Sequence, residues 1–186
     1  RIQRVFVAAT QPLDAATRAS VLPQNTTLYD GRGDIFVCKY DAAGRIVASM
    51  FPMGRRGRDL AYTRQVLTDR LCWLYPQITQ PIRWEYLWFG ELDMQRRTVP
   101  RLYGLAPGVV ALTGLSGRGV PTGTMLGGIL SDWALGVPEA DLDLRVEPLR
   151  PAPLWMAAAP ALKLRQMRLT DNLAARRERA PLPPHA

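Results

Sequence analysis

The chain has 186 residues, 47% hydrophobic and 22% charged, which suits one globular domain of ordinary size with a tail. A formal net charge of +8 and a sequence pI near 10.2 point to anionic partners: nucleic acid, acidic lipid or an anionic substrate. A single histidine, His185 at the extreme C-terminus, argues against a His/Cys metal cluster and a Ser/His/Asp triad.

The charge is unevenly spread. Eight basic residues lie between Arg145 and Arg179, opposed only by Glu147, Asp171 and Glu178, so the basicity belongs mostly to a tail. The two cysteines, Cys38 and Cys72, sit in apolar segments and read as free buried thiols of a reducing cytoplasm. No apolar run approaches the roughly 20 residues of a membrane helix, and no signal peptide is visible.

Along the chain, 2-IQRVFVAA-9 reads as a strand, rich in β-branched residues. Asp14–Leu22 suggests a short helix ending at Pro23. The runs 35-IFVCKY-40 and 45-RIVASMF-51 flank 41-DAAG-44, the pattern of a hairpin. Loop 54-GRRGR-58 precedes Asp59, a candidate N-cap for a helix with apolar positions Leu60, Leu67, Leu71 and Leu74 that stops at Pro76.

The stretch 82-IRWEYLWFGEL-92 alternates as a half-buried strand would, with Trp84, Tyr86 and Trp88 on one side. They are expected to pack into a core, with a pocket wall as the alternative. Residues 109-VVALT-113 form a short strand. From 120 to 136 the period becomes helical, with Leu126, Ile129, Leu130 and Trp133 on one face, Pro121 in the first turn and Gly136 as the cap. A further strand is expected at 142-LDLRV-146. A final basic helix starts near Leu154, is broken near Pro160, and leads into an unstructured 181-PLPPHA-186. The class is α+β, since no repeated βαβ pattern occurs.

The segment 109-VVALTGLSGRGVPTGTMLGGILSDWALG-136 runs strand, glycine turn, helix. A Walker loop is excluded because no Gly-Lys-Ser/Thr follows the turn. The dinucleotide fingerprint fits poorly: Thr122 stands for the third glycine, and Asp141 and Asp143 begin the next strand instead of ending it. A tight packing turn would need no ligand. Glycines 114, 117 and 119 nevertheless allow close backbone approach to a flat ring, and the helix start favours negative charge.

This segment, G-L-S-G-R-G-V between strand and helix, resembles the C-terminal flavin-contacting region of FAD-dependent amine and amino-acid oxidoreductases. These form the D-amino-acid, glycine and sarcosine oxidase superfamily, and the nearest branch is that of the gamma-glutamylputrescine oxidoreductases. The block 88-WFGELDMQRRTVP-100 is similar to that branch at Trp88, Gly90, Leu92, Asp93, Arg97, Thr98 and Pro100, with Val99 as an insertion. The resemblance covers about residues 1–150.

It implies non-covalent FAD, because neither Gly90 nor Glu91 is the attaching cysteine of sarcosine oxidases. It implies contacts to the flavin from Gly114, Ser116, Gly117, Arg118, Gly119, Val120 and Pro121. Arg118 replaces the usual histidine and is the one candidate for an electrostatic catalytic role.

By the same resemblance, residues 1–105 would be a substrate (cap) domain with a mixed or antiparallel sheet. Residues 106–150 would be the flavin-contacting segment and 151–186 a basic helical tail. The N-terminal Rossmann unit that holds the adenine half is not among these residues and becomes the implied partner, with an amine or amino acid as substrate. The competing class is a non-enzymatic module using the basic tail on nucleic acid or membrane. Within the enzyme reading, no nucleic acid is expected, and the tail is left peripheral membrane contact or packing against the missing half.

Overall fold

The computed structural model describes residues 2–53, 56–94, 99–151, 153, 156, 158–178 and 180–185. It is a mixed α+β structure with one five-stranded and one three-stranded sheet and four α-helices among those residues. The chain divides into two units: Arg4–Gly90 with Ala161–Ala186, and Arg1–Gln3 with Glu91–Pro160.

In the first unit, strands β1 (Ile2–Thr10), β2 (Leu28–Tyr29), β3 (Phe36–Tyr40), β4 (Ile46–Met50) and β5 (Trp84–Asp93) form a sheet of order β2-β3-β4-β1-β5. The β3–β4 hairpin turns where the sequence suggests. Asp41 Oδ1 accepts from the amides of Ala43 and Arg45, and Gly44 takes a φ of 76° that a side chain would resist. Phe36, Cys38, Ile46, Ala48 and Met50 alternate onto one face. There they meet Val66, Leu67 and Leu71 of α2 (Leu60–Leu74) in a shared core.

Asp59 caps α2 through the Tyr62 amide at 3.0 Å, as expected. Asp14 does the same for α1 (Ala15–Ser20) through Thr17. Leu60 differs from expectation: it is exposed, and Val66 takes the core position. Burial leaves Cys38 a free thiol, pushed up to about 12, and Cys72 is free and half-buried.

One buried cluster had no local signature. Asp34 is 1% exposed and receives Arg70 of α2 at 2.8 Å and Arg168 at 3.0 Å. Burial opposes its ionisation, but the hydrogen bonds and charges of Arg168 and Arg70 outweigh this and hold its carboxyl below the ordinary value. Arg168 belongs to α4 (Ala159–Arg177). The same helix sends Asp171 to the amides of Gly33 and Asp34, and Asn172 to Arg32.

The basic helix is therefore docked on the first unit by its own polar residues. The expected start at Leu154 lies outside the described residues. Pro160 does not break the helix; it sits in the first turn, where no backbone donor is required. The terminal segment, expected to be unstructured, places His185 Nε2 2.6 Å from Asp69 Oδ2 on α2 and its ring edge-on to Tyr62.

The second unit contains β6 (Arg101–Ala106), β7 (Val109–Thr113), α3 (Gly119–Ala134) and β8 (Val146–Pro148). Its sheet has the order β7-β6-β8, with β6 antiparallel to β7 and parallel to β8. Strand β6 has no counterpart in the sequence reading, because Gly104 and Ala106 dilute its β character. It exists because Pro107-Gly108, with Gly108 at a φ of 72°, folds it back on β7. The strand expected at 142–146 is shifted to Val146–Pro148, and Leu142 serves instead as a buried core residue. Leu126 and Ile129 of α3 fill that core with Leu102 and Leu142, while Leu130 and Trp133 pack at its edge.

Candidate functional site: the turn between β7 and α3

The turn is built by positive φ angles and a distant carboxylate. Gly114 at 85°, Ser116 at 50° and Gly117 at 82° all occupy the left-handed region. Glycine meets that need at no steric cost at two positions; Ser116 carries the strain of a side chain there. Asp93, at the end of β5, holds the loop twice. Its Oδ2 accepts from the Gly114 amide at 2.6 Å, and its carbonyl accepts from the Ser116 amide at 3.1 Å. The short contact to a carboxylate is the stronger kind of hydrogen bond.

Arg118 closes the turn, its amide donating to the Leu115 carbonyl at 2.9 Å, and its own carbonyl accepts from Thr122 at 3.3 Å. It occupies the N-cap of α3 without a side-chain cap bond, and no acidic residue lies in the first turn. Most helices place a carboxylate or hydroxyl here to offset the dipole. Here the N-cap residue is an arginine instead. Pro121 supplies no N–H, which leaves Gly119 and Val120 as first-turn donors beyond the reach of intrahelical acceptors.

Gly119 is distinct from its neighbours. Its φ is not in the left-handed region, and an added Cβ would only touch Leu115 at an ordinary 3.9 Å. Nothing in this unit requires glycine there. Val120 is 85% exposed and Pro121 is exposed as well. The seven sequence-predicted residues thus form one continuous ledge, with Gly114 and Ser116 inside it and Gly117 to Pro121 at its open side. Asp93 is the residue whose role sequence reading missed. The 88–100 block contained it, but no spacing rule links it to a turn more than 20 residues on.

The other candidates disperse. Trp84 is half-buried and donates Nε1–H to Thr68 Oγ1 at 2.8 Å, whereas Tyr86 and Trp88 are 49% and 47% exposed. The core instead takes Trp84 and Leu87, so strict alternation fails in β5. In loop 54–58, Gly54 and Arg55 lie outside the described residues. Arg56 pairs with Asp59 at 2.9 Å and stacks over Tyr62. Arg97 and Thr98 of the second block also lie outside the described residues. A cleft of about 260 Å³ lined by Arg18, Asn25, Tyr40 and Asp41 lies in the first unit and includes none of the turn residues.

No helix among the described residues is long and apolar enough to cross a membrane. Comparison of the chain with models of known protein families, with curated proteins and with solved structures gave no match.

Proposed function

We propose that this chain is the substrate-domain and flavin-contacting part of an FAD-dependent oxidoreductase that oxidises the C–N bond of an amine or amino acid. The observation that carries the reading is Gly119. It is a glycine that no neighbour or backbone angle requires, in the first turn of a helix with no side-chain cap and no acidic residue there. A flat ring approaching the backbone, with negative charge at its edge, accounts for both features. The resemblance of 114-GLSGRGVP-121 and of the 88–100 block supplies the identity of that ring.

FAD, when bound, accepts the hydride from the substrate carbon. On this reading Gly114 and Gly117 shape the ledge, and Asp93 fixes it in place. The Gly119 and Val120 amides and Arg118 then stabilise negative charge developing at the ring edge. The cofactor is held non-covalently, and its adenine half belongs to a Rossmann unit outside these 186 residues. Two free thiols suit the cytoplasm.

The test is flavin absorbance of the chain purified alone and after co-expression with its upstream coding segment. Flavin is expected with the second preparation. Gly119→Leu should not lower the melting temperature and should abolish the absorbance. Colourless protein in both preparations would overturn the proposal.

A further inference from the structure

Helix α4 has two faces of different chemistry. The inner face carries Leu164, which is buried, together with Arg168 and Asp171, which bond to the 30–53 region of the first unit. On the opposite side, Leu162, Leu169 and Leu173 recur at spacings of seven and four residues, so they form one ridge. They are 63%, 60% and 47% exposed. Arg165 and Arg176 lie on one flank of this ridge and Arg177 on the other by the same helical period, and all three are exposed. Asp171 is turned inward, and by the same period Glu178, just past the helix end, also falls away from the ridge.

We propose that this outer face of α4 rests on an anionic lipid surface. A convex ridge of leucines flanked on both sides by arginines matches the boundary between acyl chains and acidic headgroups. The leucines enter the apolar side, while the guanidinium groups reach outward to phosphate along their own methylene stems. Nucleic acid would use the arginines and leave the leucines in water, so it fits half of the face. The inner contacts matter too: with Arg168 and Asp171 bonded to the first unit, the ridge is presented pre-formed and does not have to fold on binding.

The test is co-sedimentation of the whole 186-residue chain with vesicles of phosphatidylcholine alone or enriched in phosphatidylglycerol. Binding is expected only to the anionic vesicles and should weaken with salt. The triple variant Arg165→Gln/Arg176→Gln/Arg177→Gln should bind about a hundredfold more weakly, at about fivefold per cation. Leu162→Gln/Leu169→Gln/Leu173→Gln should lose at least about tenfold with unchanged melting, since the ridge is exposed.

Failure to sediment with anionic vesicles at low salt overturns the proposal. So does a leucine variant that binds vesicles and duplex DNA as tightly as the parent, which would make the face a general polyanion surface. A leucine variant that turns a dimer into a monomer without changing vesicle binding would make the ridge a contact between copies, and also overturns it.

Discussion

The two units hold their structure by different means. Among the described residues of the first, thirteen buried apolar residues form one core, and a buried carboxylate with two guanidinium groups fastens the C-terminal helix to it. Among the described residues of the second, four buried residues support a three-stranded sheet and one helix. That helix exposes Val120 and Met125, and its glycines at 123, 127 and 128 would meet nothing if given a Cβ. Each unit also carries features that its own packing does not explain: the exposed leucine ridge of α4 in the first, the proposed flavin ledge in the second.

The contrast can be broken most sharply at Asp34. Asp34→Ala leaves Arg70 buried without its counter-charge and should cost about 3–5 kcal/mol in urea unfolding, with α4 becoming sensitive to limited proteolysis. Acid should do the same reversibly. The folded carboxyl lies below its ordinary 3.8, so the stability it lends is complete above 3.8 and is lost as pH falls through the lower folded value. Asp34→Asn should remove that acid-dependent step. An unchanged pH profile in this variant would show that the cluster is not what fastens the helix.

A smaller effect is expected at Asp93. Asp93→Ala removes the carboxylate from the buried Gly114 amide and should cost about 1–3 kcal/mol. Hydrogen exchange at Gly114 should accelerate, while amides of the first unit's core keep their protection. Equal loss of protection in β3 and β4 would mean that the two units unfold as one.

The smallest change should have the opposite sign. Gly127→Ala places a Cβ in open space inside α3, so the chain should gain up to about 1 kcal/mol in thermal stability. The glycine costs the helix and brings no benefit within this unit. A loss of stability there would show that another surface already covers that face.

Much of this was legible locally. The Asp59 cap, the 41–44 turn and the helical period from Leu126 to Trp133 are set by residues near one another in sequence. Strand β6 was hidden because its pairing with β7, and not its own composition, makes it a strand. Among site residues, the glycine turn announced itself, but its anchor Asp93 did not.

The sequence by itself determined the α+β class, the Asp59 cap of α2 and the strand-turn-helix around Gly114 to Pro121, since capping, turn chemistry and side-chain period act over a few residues. Tertiary structure decided which charges are structural. Arg70, Arg168 and Asp171 look like solvated surface in the sequence, and only the fold brings two of them to one buried carboxylate and the third to backbone amides. Burial makes such long-range pairing strong, and no local pattern records it.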